Sequence, residues 1–522
     1  MNDARGFAAV RRRACGAVAL ACGVFMLCVL PLLYHDALFD INRYKVAAVR
    51  AVVPALCAAM GIAWLIKRRA PQLAPEAKSI CVPCLFMGLF ALACVCSGAM
   101  AGFEHAVLFG DEGRYAGLFF MLSCAAAFYL IAVWLPRAEA LAAAASLCGA
   151  AVALLGTANL AGLDPLGFYK QIQRGQEQIF LATIGHMDFF GTYLLMPFSL
   201  AGGLCLFAKG KGARILGAAC AVSMLLGLAA ARTESAVLGT SMACFALFAL
   251  SGDSLRRMAG ALALWGAGFL ALGVVYGLGQ RSPYNPAYSG LPLALGGKGI
   301  GLAMGVSLLA AALCLCVLAR RGVRAPGRER LLAVCIAIAV LAALALLGAI
   351  VYFTAFAPQV ELGTAADILR FDDSWGSLRG FVYVRSLRAY ADFSPLRKLF
   401  GRGMELAERV LRPYFDNPAM LVGGIFNDAH CQPLQLLITC GLFGSAAFVG
   451  FYLSMLFLLL RRAGRDPVLV GALAALVSYA VTLLLNVTQP ILIASYFSLC
   501  ALAAARVRAL SALNREDTRD ES

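Results

Sequence analysis

His430 closes the only long polar stretch of this chain, two residues after Asp428 in the sequence Asn427-Asp-Ala-His430. An imidazole titrates near neutral pH, so where water meets apolar surroundings it can take a proton from a hydroxyl. Upstream in the same stretch, Gly376-Ser-Leu-Arg379 leads to Arg385 and Arg388. A guanidinium stays charged, and its planar fork donates paired hydrogen bonds to a phosphate or pyrophosphate. On a helix turning about 100° per residue, Arg385 and Arg388 fall roughly 240° and 180° round from Arg379. The three cannot share a face, so Arg385 and Arg388 are expected at the surface or on lipid headgroups, with a pyrophosphate contact as their weaker reading. Arg114 and Arg232 occupy other short polar breaks, in Gly110-Asp-Glu-Gly-Arg114-Tyr115 and Arg232-Thr-Glu234-Ser235. Asp372-Asp373 and the histidines could in principle hold a divalent cation, but their spacing forms no convincing ligand set.

These residues must be positioned by apolar elements. Of 522 residues 62% are hydrophobic and 14% charged, and the mean hydropathy is +0.82; a soluble domain is nearer half apolar and a quarter charged. About 20 apolar residues span a bilayer, and such runs fall near 14–34, 46–66, 80–100, 116–135, 140–161, 189–208, 215–231, 236–251, 258–277, 298–319, 331–356, 434–460, 467–485 and 490–505. The reading is an all-α polytopic membrane protein with about 12–14 transmembrane helices. About eleven lie in 1–356 and three in 434–505, with a loop at 357–433 and a tail at 506–522. The apolar run after Arg11-Arg12-Arg13 starts like a signal peptide, but its length and the spans that follow mark it as a retained first helix.

The net charge of +16 does not indicate nucleic-acid binding, because the basic residues cluster between apolar runs as cytoplasmic loops require. With Arg11–Arg13 inside, alternation of fourteen spans puts Lys67-Arg-Arg69, Arg137, Lys209, Arg256-Arg257, Arg320 to Arg330, Arg461-Arg462 and Arg506 on that same side. Both termini are then cytoplasmic. His35, His105, His186, His430 and the 357–433 loop fall at the outer face. That loop carries nine Lys/Arg and nine Asp/Glu, so its charge does not orient it. Its length marks it as functional, with helical pieces expected at Ser377–Tyr390 and Met404–Arg412. Most of the 19 cysteines lie in apolar runs and read as small hydrophobes, and Cys81-Val-Pro-Cys84 is a single CxxC without a zinc-site partner.

From Asp428 the chain reads Asp-Ala-His430-Cys-Gln-Pro-Leu434-Gln435-Leu-Leu-Ile-Thr-Cys-Gly441-Leu-Phe-Gly444. This resembles the signature of the O-antigen ligase and polymerase family of bacterial membrane glycosyltransferases, His-Asn-x-x-Leu-Gln followed by Glu-x-Gly-x-x-Gly. His430, Leu434, Gln435, Gly441 and Gly444 match in register, while Cys431 and Thr439 replace the usual Asn and Glu. The Arg379 segment through Pro395 to Gly401-Arg-Gly403 resembles the family's Ser-x-Arg to Gly-x-Gly stretch, and Arg114-Tyr115-Ala-Gly117-Leu118 its Arg-Tyr-x-Gly-Leu. Thr183-Ile-Gly185-His186-Met-Asp188-Phe189 departs from a Thr-x-Gly-Asn-x-Asn-Phe segment at both asparagines, and Arg232 is displaced from its expected slot.

The resemblance implies a GT-C-like fold in the bacterial cytoplasmic (inner) membrane with the catalytic loop outside. It implies an inverting, metal-independent transfer without cofactor, from an undecaprenyl-pyrophosphate-linked glycan to a lipid or glycan acceptor. His430 would then act on the acceptor hydroxyl and Arg379 on the pyrophosphate, with Arg114 and Arg232 supporting. Ligase and polymerase both fit. A transporter or flippase fits less well, since charges in the spans are few and no internal repeat is visible.

Overall fold

The computed structural model describes residues 2–35, 40–65, 75–172, 175–415, 428–486 and 488–520; the expected basic cluster at 67–69 and Asn427 lie outside them. The protein is an all-α polytopic membrane protein. Among the described residues, twelve helices are long and apolar enough to cross a membrane. Two further apolar helices, Leu118–Trp134 and Glu234–Leu250, are shorter. At about 1.5 Å per residue their 17 residues reach roughly 25 Å, and both lie mostly against other helices rather than lipid.

The centre is formed by Met187–Phe207 and Pro490–Leu513, whose apolar windows are 89% and 94% buried. By contrast, Ile300–Arg320 and Arg328–Phe356 are 11% and 6% buried and form a peripheral pair. Small residues let the central backbones approach: a Cβ on Gly203 would lie 2.3 Å from Pro467 O and 2.8 Å from Gly471 Cα. Phe90, Phe451, Tyr496 and Phe497 interlock edge to face, with Phe448 tilted against Phe90.

The connections sort to two ends. At one, Arg465 bonds Asp253, Gly327 N donates to Gly252 O (2.9 Å), Arg506 joins Glu139 to Asp466, and Arg508 donates to Leu135 O (3.0 Å). At the other, segments around 40–42, 110–116, 376–405, 428–441 and 484–489 are bonded to one another. The basic connections therefore gather at one end and the polar loop at the opposite end.

Three details differ from the sequence reading. The apolar run 434–460 is not one helix but two, Gln432–Thr439 and Gly441–Arg462, because Gly441 adopts φ +69°. The segment expected to be helical from Met404 starts later, as an α-helix over Ala407–Leu411 that continues as a 3-10 turn over Arg412–Tyr414. The last helix runs unbroken from Pro490 to Asp520 rather than ending before a tail.

Candidate active site

The His430 backbone is left-handed, with φ +48°, a region that a residue with a Cβ enters only when its surroundings hold it there. Three contacts do so. Asp428 Oδ1 accepts the His430 amide (2.7 Å), Gln435 Oε1 accepts the Ala429 amide (3.0 Å), and Tyr383 Oη lies 3.3 Å from His430 O and 2.7 Å from Leu484 O. Gln435 can reach back because it lies in the first turns of Gln432–Thr439, directly after the strained corner. Burial holds the Tyr383 phenol well above its ordinary range, so it serves as a neutral donor.

His430 Nε2 lies 3.9 Å from Asp428 Oδ1, and Arg114 Nη2 lies 2.8 Å from Asp428 Oδ2. The carboxylate is almost fully buried, at 3% side-chain exposure, and Arg114 is at 12%. Such a buried pair is costly to break because either partner alone leaves an uncompensated charge. Arg114 is presented by the turn before Leu118–Trp134, where Tyr115 has φ +59° and donates from Oη to Asp40 (2.8 Å). Arg50 donates to the carbonyls of Phe109 and Tyr115, and Asn42 Nδ2 to Gly113 O (2.8 Å) and Gln489 Oε1 (2.9 Å).

Glu405 adjoins Arg114 and Asp428. Its backbone is left-handed (φ +62°), and its buried Oε2 accepts no hydrogen bond among the described residues. Burial raises its pKa, opposed by the Arg114 charge and reinforced by Asp428 and Asp111.

Arg379 stands on the other side of Tyr383. Gly376, Ser377 and Leu378 are all left-handed, so the regular part of this helix starts at Arg379. Its Nε donates to Leu485 O (2.6 Å) and its Nη1 to Gly376 O (2.5 Å), while Nη2 makes no hydrogen bond among the described residues.

The other arginines are placed differently. Arg385, expected at the surface, is 8% exposed, paired with Asp373, and stacked 3.8 Å from the Phe381 ring centroid. The kink at 376–378 folds Asp373 back over it. Arg388 is exposed, as expected. Arg232 is 6% exposed and is not brought to His430; it donates to Ala287 O (2.8 Å) and Gln178 O, under Tyr288. It ties two loops together, and burial lowers its pKa. His186 caps the Met187–Phe207 helix by accepting the Asp188 amide at Nδ1 (3.3 Å).

The motif glycines act through backbone. A Cβ on Gly401 would lie 2.1 Å from Thr439 O, and one on Gly441 2.3 Å from Leu399 O. Gly403 N donates to Thr439 O (3.0 Å), which also accepts from Ser97 Oγ (2.6 Å). Gly441 therefore packs against the end of Pro395–Phe400 rather than a transmembrane helix, while Gly444 faces Ala93 at 3.7 Å. Thr439, where the family's Glu is usual, bonds the Gln435 carbonyl (2.7 Å). Among the described residues no His/Cys/Asp/Glu group has a metal-binding arrangement.

Sequence reasoning did not single out Asp428, Glu405 or Tyr383. Asp428 stands beside His430 in the sequence, and that proximity was its available signal. Glu405 and Tyr383 carry no local signal beyond lying within or just after the matched motifs.

Fold and site together define a polytopic membrane protein with a His430–Asp428–Arg114 cluster at the loop end of its bundle. Residues 294–449, which include Arg379, Tyr383, Glu405, Asp428 and His430, match the family model described as O-antigen ligase. Over this segment the chain is similar to the O-antigen ligase family. No curated protein matches the chain significantly.

Proposed function

We propose that this protein transfers a glycan from an undecaprenyl-pyrophosphate carrier to an acceptor hydroxyl at the extracytoplasmic face of the bacterial cytoplasmic membrane, as an O-antigen ligase. The observation that supports this reading is that His430, 3.9 Å from Asp428, and Arg379 are tied to one loop end, Tyr383 Oη lying 3.3 Å from His430 O and 2.7 Å from Leu484 O while Arg379 Nε donates to the next carbonyl, Leu485 O. In this mechanism His430 takes the acceptor proton as the oxygen attacks the anomeric carbon. The carbon–oxygen bond to the carrier breaks with its electron pair leaving on the pyrophosphate, and in-line attack inverts the anomeric centre. Asp428 stabilises the imidazolium, and Arg114 fixes Asp428 rather than contacting substrate. Arg379 offsets charge on the leaving oxygen, an interaction strongest in the transition state. The chain's own residues supply all these roles without a metal or cofactor.

The basic end of the bundle, and with it both termini, is assigned to the cytoplasm by the positive-inside rule. Glycan analysis of cells lacking the protein tests the assignment as ligase. Full-length polymer stranded on the lipid carrier is expected; carrier bearing only single repeat units would make the protein a polymerase.

A further inference from the structure

At the end of the bundle opposite His430 lies a cavity of about 710 Å³ between the start of Ala138–Leu160, the turn after Met187–Phe207, the turn after Gly441–Arg462, and the last helix. Its floor is apolar, with Ala143, Leu204, Phe207 and Leu510, and its rim is basic, with Lys209, Arg462, Arg465 and Arg506 against Glu139 and Asp466. Both carboxylates are engaged by Arg506, 2.7 Å from Asp466, and Arg465 is taken by Asp253. Lys209 and Arg462 are exposed and form no ion pair among the described residues, so the cavity keeps uncompensated positive charge. Its size is that of a pocket for a small organic molecule. Lipid-facing side chains continue from its walls, with Leu147 50% and Ile215 59% exposed.

A soluble anion would have no use for the apolar floor, and a neutral lipid none for the cations. We propose that this cavity binds the phosphodiester headgroup of an anionic membrane lipid, with Lys209 and Arg462 on the phosphate and the glycerol and upper chain against Leu204, Phe207 and Leu510. Basic pockets between helix ends are suited to such headgroups. The site is independent of the transfer chemistry at the other end.

The test uses the full chain, purified and delipidated, then titrated with phosphatidylglycerol or phosphatidylcholine and read by native mass spectrometry. Phosphatidylglycerol should bind at one saturable site and phosphatidylcholine should not. Replacing Lys209 and Arg462 together by Ala should weaken that binding at least about tenfold. Arg462→Lys should retain it, and Arg320→Ala, away from the cavity, should leave it unchanged. Equal binding by the double variant and the unaltered chain, or no preference between the lipids, would overturn the proposal. Competition by inorganic phosphate at concentrations that leave the lipid dispersed would also overturn it, in favour of a soluble anion.

Discussion

At the scale of residues, a left-handed histidine is held by a buried carboxylate that is itself held by an arginine. Holding His430 at φ +48° costs on the order of 1–3 kcal/mol, which the bonds from Asp428, Gln435 and Tyr383 must offset. Asp428→Asn keeps the shape but strands the Arg114 charge, and breaking such a pair costs about 3–5 kcal/mol. A clear fall in the thermal midpoint is expected, and pairing it with Arg114→Met should recover much of the stability without restoring transfer. Glu405 gives a pH prediction. Burial raises its folded-state pKa above the unfolded carboxyl value, so the folded state holds the proton more tightly. Its contribution to stability is present at low pH and is lost as pH rises through the raised value. Glu405→Gln should therefore flatten the loss of stability above the ordinary carboxyl range; an unchanged pH profile of unfolding would count against this. His430 and Arg379 were legible because each sits in a spaced motif. The Asp428–Arg114 pair was not, since it joins residues from separate loops and only the folded chain shows their meeting.

At the scale of elements, two glycine motifs work as one backbone crossing. Gly441→Ala would put a methyl 2.3 Å from Leu399 O at a residue with φ +69°, so it should abolish folded protein or greatly lower its yield in membranes. Gly102→Ala has the same φ but nothing within 4 Å, and should cost only about 1–2 kcal/mol. Equal yields for the two variants would contradict the crossing. The helix that begins at Arg379 allows a second comparison, because Arg379 and Arg388 are on different faces. Arg379→Lys should sharply reduce transfer, since a point charge cannot replace the fork, whereas Arg388→Ala should alter it by less than about twofold. The apolar runs were legible because their length and composition leave no other fold. The division of 434–460 was not, since a glycine in an apolar run signals close packing and a helix break equally well. The burial of Arg385 was hidden for another reason: helical phase gives the face a residue occupies but not what covers that face, and here Asp373 and Phe381 cover it.

At the scale of the whole molecule, charge sorts the bundle into a basic end and an end that carries the polar loop, and the proposed chemistry needs that separation. In the proposed reaction the carrier's apolar tail would lie among the helices while its pyrophosphate and sugar reached Arg379 and His430 where water begins. An epitope inserted near Ser394 should be reached by antibody in intact spheroplasts, and one at the C-terminus only after permeabilisation; the reverse would invert the assignment of faces. The central claim, that His430 acts on the acceptor hydroxyl, is tested most directly by transfer with purified protein, an undecaprenyl-pyrophosphate-linked glycan and its acceptor. His430→Ala should lower the rate by about 10²–10⁴-fold while leaving donor binding intact. Transfer by His430→Ala within about twofold of the unaltered protein would contradict it.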